Sequence, residues 1–451
     1  MTKLNEMADG LNRTVKVALD TGEVASVEEA ERLFSGYRLQ ILVGPDVADS
    51  PSLQAALLTA VNCAARTLLG GVTVVGAQGQ LRVSLPSFHD LASATTGLGG
   101  RPVSVIDPVI PTLIIGDVET KSLEPLALRV IVSGWCGGVA PATKNLELDA
   151  GPCVTTAGVL AGAVAVSEVF QRLRGNNPMA CRRSVGLSLW RPSQDWLSAE
   201  HGPPVDRLPM SAWLVGMGNL GQAYLWTLGF LPYGDQAVEL VLQDLDVLAP
   251  SNLSTSLLTT PALLGRKKTR ALADWSERRG FRTAIVERSF APDFKVSARE
   301  PIVALIGVDN ALARQAVEDV GFDRVIEAGL GRGPKDFLGL DLHTFPASKP
   351  ARQVWRETAV ADADIAQPAY RALLEQTGDR CGTVRLAGRS IGAPFVGAVA
   401  AALVIAELIR LVMGDRRYEI VSCHLRDLGA RLVVKGEPWP PSNPGFLPLA
   451  A

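Results

Sequence analysis

The chain has 451 residues, 47% of them hydrophobic, with 44 basic against 46 acidic side chains and a formal net charge of -2. That length suits two cores rather than one, and the balanced charge argues against nucleic acid as a partner. The six cysteines (Cys63, Cys136, Cys153, Cys181, Cys381 and Cys423) include no CxxC pair, which argues against a zinc site of that type and fits a reducing, cytoplasmic setting.

In chain order, the amino-terminal MTKLNEMADGLNR is polar and has no apolar core of a secretory leader. Residues 1–37 read as polar and helical. LQILVG (39–44) predicts a buried strand, 51–68 an Ala/Leu-rich helix, and VTVVG (72–76) a second strand. Residues 83–104 read as loop. PTLIIGD (111–117) and LRVIVSG (128–134) are further strands, and 157–173 an apolar helix. Residues 176–209 connect two halves, with one strand at 184–190. The plan then repeats: strand 212–216, helix 219–229, strand 238–244, helix 265–280, and strands 302–307 and 324–329. Segment 334–390 breaks the rhythm. Gly392 to Met413 is the most apolar stretch, but Glu407 and Arg410 interrupt it, so it reads as a buried helix rather than a membrane span. Strands 419–425 and 431–435 precede a Pro-rich tail. Short apolar runs alternating with helices imply a doubly wound α/β sheet.

The halves also match locally. RVIVSGWCGG (129–138) aligns with RVIEAGLGRG (324–333). Residues 157–175 align with 396–414, where Gly158, Ala161, Ala163, Glu168 and Gly175 meet identical residues. The shared order implies an internal duplication.

Chemistry concentrates in the second half. VGMGNLG (215–221) places Gly216, Gly218 and Gly221 in GxGxxG spacing between a strand and a helix. Small residues there let backbone N–H groups approach phosphate at the helix terminus. Asp244 ends the next strand, where a carboxylate can accept hydrogen bonds from ribose hydroxyls. These features alone also suit a nicotinamide oxidoreductase. Asp246, Ser251-Asn252-Leu253, Gly265-Arg266-Lys267-Lys268 and Asp309-Asn310 then follow in order.

The series resembles the ThiF/MoeB and ubiquitin-activating enzyme superfamily over about residues 210–335. The resemblance implies two Rossmann-like adenylation domains, at 1–200 (inactive) and 206–440 (active), with the tail at 441–451. It implies ATP and Mg2+ as cofactors and an acyl-adenylate on the carboxyl terminus of a ubiquitin-like protein. Gly216, Gly218, Gly221, Asp244, Asp246, Asn252 and Lys268 would bind nucleotide, with Lys268 also catalytic through phosphate charge. Asp309 would hold magnesium. Thr255 stands where the family carries a phosphate-binding arginine. Arg266, Lys267 and Arg270 are candidates to replace it. The absent CxxC pairs also depart from the sulfur-carrier activators.

In the first half, GPDVAD (44–49) stands where GMGNLG would be. Asp46 and Asp49 occupy the second and third glycine positions, and Gly76 replaces the strand-end acid. Carboxylates there repel phosphate, so this half is expected to be silent. The resemblance implies an internal pseudo-dimer in which the silent half lends an arginine, with Arg13 and Arg32 as candidates. It also implies a thioester and a conjugating enzyme as the next acceptor. Cys381, near Arg380, Arg385 and Arg389, is the candidate thiol within 334–390. Thr383 and Ser390 are hydroxyl alternatives there. A peptide or small-carboxylate adenylyltransferase without a thiol step is the other reading. No membrane partner is expected.

Overall fold

The computed structural model describes residues 3–118, 126–144, 146, 152–198, 200–355, 365–439 and 445–449. Three short helices open the chain: α1 (Lys3–Gly10), α2 (Lys16–Asp20) and α3 (Val27–Ser35). They are not a solvated leader. Leu11, Val15, Val17 and Leu19 are buried, and Lys16 is fully buried against Asp20 at 2.6 Å.

The first sheet uses β1 (Arg38–Val43), β2 (Gly71–Val75), β3 (Gly100–Pro102), β4 (Thr112–Ile115), β5 (Ala127–Ser133), β6 (Cys136–Pro141) and β7 (Val185–Ser188), in the order β3-β2-β1-β4-β5-β6-β7. Its helices are α4 (Pro51–Thr67), α5 (Leu91–Gly97) and α6 (Thr155–Arg174). The first five strands run parallel, and β6 and β7 are antiparallel additions. Region 83–104, expected as loop, contains α5 and β3. The Gly-rich CGGVAP of β6 was not expected as a strand.

After β8 (Arg207–Pro209), the second sheet repeats that order. Its strands are β9 (Ser211–Val215), β10 (Glu239–Gln243), β11 (Arg282–Val286), β12 (Val303–Ile306), β13 (Arg324–Leu330), β14 (Gly339–Phe345), β15 (Tyr418–His424) and β16 (Asp427–Lys435), ordered β11-β10-β9-β12-β13-β14-β15-β16. Its helices are α7 (Asn219–Gly229), α8 (Asn252–Thr255), α9 (Lys268–Arg278), α10 (Ala311–Gln315), α11 (Gly333–Asp336), α12 (Ala351–Val354), α13 (Pro368–Thr377), α14 (Arg380–Ala387) and α15 (Pro394–Met413). The segment that broke the rhythm thus supplies β14 and four helices. Residues 356–364 within it lie outside the described residues. Of the Pro-rich tail, β17 (Phe446–Pro448) pairs with β8; residues 440–444 and 450–451 lie outside the described residues.

The duplication extends to side-chain detail. Glu168 on α6 accepts from the Cys181 amide at 2.8 Å, and its counterpart Glu407 on α15 accepts from the Tyr418 amide at 3.2 Å. Both helices end on a left-handed glycine, Gly175 and Gly414. Helices α4 and α6 lie on the first sheet, α7 and α15 on the second, and the four pack together. Trp226 on α7 donates to Thr59 on α4 at 2.9 Å across that seam. Among the described residues α15 is the one helix long and apolar enough to cross a membrane, and it is buried inside the fold. Its apolar surface therefore serves the core between the halves.

Candidate functional site

Strand β9 feeds α7 through the glycine turn. Gly216 has φ +88°, and a Cβ there would lie 2.9 Å from the Gly307 carbonyl oxygen. A Cβ on Gly221 would lie 2.0 Å from the Gly216 oxygen, so that glycine lets helix and turn close on each other. Gly218 is different: a Cβ there would meet nothing within 4 Å. Gly218 is also the N-cap of α7 and provides no side-chain cap. The positive end of the helix dipole is left open to an anion.

Asp244, at the end of β10, accepts from the Met217 amide at 2.7 Å and from the Asp246 amide at 2.8 Å. The strand-end carboxylate thereby fixes the glycine turn. Lys268, first residue of α9, places Nζ 2.8 Å from Asp246 and 3.5 Å from Asp244. Asn252 opens α8, where its Oδ1 accepts from the Ala249 amide at 2.9 Å. Past β12, Asn310 caps α10 by accepting from the Leu312 amide, which leaves the exposed Asp309 carboxylate outside the cap. Asp244, Asp246, Asn252, Lys268, Asp309 and Asn310, with Gly216 and Gly218, line one cavity of about 750 Å3. That size suits a nucleotide. Gly221, expected to bind nucleotide, does not line the cavity; it acts through its close packing on the Gly216 carbonyl.

Thr255 also lines the cavity, and three separate stretches of chain meet beside it. The Arg13 amide donates to Ser254 Oγ at 3.1 Å. Thr14 Oγ1 donates to the Gly392 carbonyl at 2.8 Å, and a Cβ on Gly392 would lie 2.8 Å from Thr255 Cγ2. The small Thr255 thus lets the leader and segment 388–392 close over the site. Both bring cations, since Arg13 and Arg389 line the cavity. Burial pushes the Arg13 guanidinium down to about 10, and the neighbouring Arg389 charge adds to this. Asp9 partly offsets the two cations through its ion pair with Arg389. Arg13 Nη1 and Arg389 Nε are nevertheless buried without a hydrogen-bond partner. Orphaned cationic donors at a cavity wall fit an anionic ligand.

The candidates near Lys268 do not serve this wall. Arg266 pairs with Asp274 at 2.5 Å, Lys267 donates to the Leu245 carbonyl at 2.5 Å, and Arg270 pairs with Glu287 at 2.8 Å. Arg32 is exposed and does not line the cavity. In the sequence Arg389 stands out only as a neighbour of Cys381. Its flanking glycines, Gly388 and Gly392, were the available signal of a close approach. Cys381 itself is exposed on the first turn of α14 and is not part of the cavity wall. Thr383 is buried and donates to the Asp379 carbonyl at 2.9 Å, whereas Ser390 is exposed and lines the cavity.

The first half closes the equivalent position with its own side chains. A 3-10 turn, Pro45–Ala48, replaces the glycine loop, and Ser50 caps α4 by accepting from the Leu53 amide at 3.3 Å. Asp46 Oδ1 accepts from the Asp117 amide at 2.7 Å, and Asp49 pairs with Arg82 at 2.7 Å. A carboxylate therefore sits against the turn, and the helix end is already capped.

Two family profiles match the chain. One, described as the BilD N-terminal domain, covers residues 38–189; the other, the BilD C-terminal domain, covers 208–415. A protein of Collimonas sp. (strain OK412) named "Bacterial E1-like protein BilD" is 45% identical over 417 residues, 91% of this chain and 90% of that protein. Among solved structures, the E. coli tRNA N6-threonylcarbamoyladenosine dehydratase TcdA aligns with a TM-score of 0.28 and 14% identity, over 45% of this chain and 86% of that one. PaaA aligns with a TM-score of 0.33 and 14% identity, over 50% and 64%.

Proposed function

The chain belongs to the BilD family of bacterial E1-like proteins, and from that premise we propose that its carboxy-terminal half uses ATP and magnesium to adenylate the carboxyl terminus of a ubiquitin-like protein. The observation that carries this reading is the uncapped end of α7, with Gly218 bare, facing a cavity lined by Lys268, Arg13 and Arg389. Adenylation requires little covalent chemistry from the protein. It needs the carboxylate and the α-phosphorus held together and the phosphate charge offset.

Each residue has a task in that scheme. The amides of the turn and the end of α7 receive phosphate oxygens. Asp244, already fixed by the Met217 amide, takes the ribose. Asn252 and Lys268 hold the phosphates, and Lys268 exchanges its contact with Asp246 for them. Arg13 from the silent half and Arg389 from segment 388–392 supply the positive charge that Thr255 does not. Magnesium, when bound through Asp309, neutralises phosphate charge and favours departure of pyrophosphate. The activated carboxyl group then passes to an enzyme nucleophile, Cys381, and on to a conjugating enzyme. We place the inactive unit at 1–200, the active one at 206–440, and the protein in the cytoplasm.

Calorimetry with magnesium and either ATP or NADH tests the nucleotide assignment. The expected result is ATP binding that disappears in Asp244→Ala and falls sharply in Lys268→Ala. Binding of NADH without ATP would overturn the adenylation reading and restore the oxidoreductase alternative.

A further inference from the structure

Helix α4 belongs to the half read as silent, yet one face of it grips the half that forms the cavity. Asn62 and Arg66 lie one helical turn apart on that face. Arg66 Nη1 donates to the Leu253 carbonyl at 2.6 Å, and Nη2 donates to the carbonyls of Leu257 at 3.1 Å and Thr259 at 3.0 Å. Its Nε donates to Asn62 Oδ1 at 2.8 Å, and Asn62 Nδ2 donates to the Leu257 carbonyl at 3.0 Å. Burial pushes the Arg66 guanidinium down to about 10, and its hydrogen-bond acceptors here are uncharged.

These carbonyls need a donor. Leu253 lies in the four-residue α8, and Leu257 and Thr259 lie in the irregular chain just after it, so these carbonyls lack the partners a longer helix would provide. A guanidinium, with several donors in one plane, can serve all three at once. From the other side, Gln222 on α7 accepts from the Leu258 amide and from Thr259 Oγ1, both at 3.0 Å. Loop 253–259 is therefore held between the two halves. The Arg66 backbone carbonyl also accepts from Asn12 at 2.9 Å, and Asn12 Oδ1 accepts from the Thr14 amide at 2.9 Å. One residue thus anchors both the segment carrying Asn252 and Thr255 and the turn carrying Arg13.

We propose that Arg66 is a positioning residue for the nucleotide site: from the silent half it presets the phosphate-facing segment 252–255 and the Arg13 turn of the active half. The proposal rests on the reading of this cavity as the ATP site. It gives the silent half a task in catalysis without a nucleotide of its own. Charge-assisted bonds to three carbonyls hold the loop from the face opposite Gln222.

The test is calorimetry of magnesium ATP on the full chain, comparing wild type, Arg66→Met, Arg66→Lys and Asp244→Ala, with melting curves for each. Arg66→Met is expected to weaken ATP binding about tenfold at unchanged stoichiometry. Arg66→Lys, which keeps the charge but reaches fewer carbonyls, should recover part of that loss. Methylguanidinium added to Arg66→Ala should also restore affinity. A purely structural role would lower the melting temperature and the binding stoichiometry while leaving the dissociation constant unchanged, and that result would overturn the proposal. If Arg66→Met does not fold, Arg66→Lys decides alone: wild-type affinity with reduced stoichiometry refutes it, and weakened affinity at full stoichiometry supports it. ATP binding that survives Asp244→Ala would instead refute the nucleotide assignment, separately from the behaviour of Arg66.

Discussion

Gly218 and Gly221 stand three residues apart in one turn, and an added methyl group would meet different surroundings at each. At Gly221 it would lie 2.0 Å from the Gly216 oxygen, so Gly221→Ala forces the turn and α7 apart. Overpacking of this kind costs about 1–3 kcal/mol, and a urea midpoint should show it. At Gly218 the methyl would enter the open cavity, so Gly218→Ala should cost less stability and still remove ATP binding. Equal loss of stability in the two variants would contradict an anion site at the α7 terminus. The same distinction explains what was legible at this scale. Asp244 ends a strand beside the glycine turn, so its local position points to it, whereas Asn252, Lys268 and Asp309 are legible only through the family resemblance, and all four line the cavity. Arg13 and Arg389 come from distant stretches of chain and meet only because Thr255 and Gly392 leave room. Nothing in the spacing around either arginine shows that meeting.

Elements with strong apolar periods were readable: β1, α4, α6, β9, α7, β12 and α15 all fall where the sequence predicts them. The missed strands lack a strong pattern of their own: β6, the first antiparallel strand of its sheet, is half glycine and alanine, β14 is the corresponding strand of the second sheet, and β3 is three residues long. Such strands take their conformation from neighbours rather than from their own pattern. The duplication, by contrast, is legible because Gly158, Ala161, Ala163, Glu168 and Gly175 of the α6 segment meet identical residues, in the same order, in the α15 segment. Glu168 is one of these, and it yields a pH prediction. Burial raises its carboxyl above the ordinary glutamate range, offset in part by the Cys181 amide and Arg183. The folded state therefore binds the proton more tightly than the unfolded chain. The stabilisation is fully present below the unfolded value and is lost as pH rises through the folded one. Glu168→Gln keeps an acceptor for the amide and removes the charge. It should flatten the decline in melting temperature above the ordinary glutamate range and raise stability at neutral pH. A steeper decline in the variant would show that the native carboxylate is stabilised, contrary to the direction assigned here.

At the scale of the whole molecule, the active cavity is assembled from the leader, the core of the second half and segment 388–392, whereas Cys381 is not part of its wall. Cys381 lies near the start of α14, and Gly388 follows that helix, so at ~1.5 Å per residue the thiol stands roughly 10 Å along the helix from the cavity edge. Helix α14 is tied to α1 through the Asp9 pairs with Arg385, at 3.5 Å, and Arg389. The proposed phosphate-facing Arg389 and the proposed acceptor thiol thus lie on one segment. In the arrangement seen here Arg389 and Ser390 line the cavity and the exposed Cys381 lies outside its wall. Adenylation should therefore be independent of the thiol: Cys381→Ala should bind ATP as the wild type does. Thioester formation needs a nucleophile and a movement that carries α14 toward the adenylate. With ATP and the ubiquitin-like substrate, the wild-type enzyme should form an adduct that reductant dissolves, and Cys381→Ala should form none. Gels run with and without reductant provide the measurement. An adduct that survives both reductant and Cys381→Ala would reject the thiol and direct attention to Ser390, because Thr383 is buried and Ser390 already faces the cavity. Ser390→Ala would then have to abolish it, and no large movement of α14 would be required.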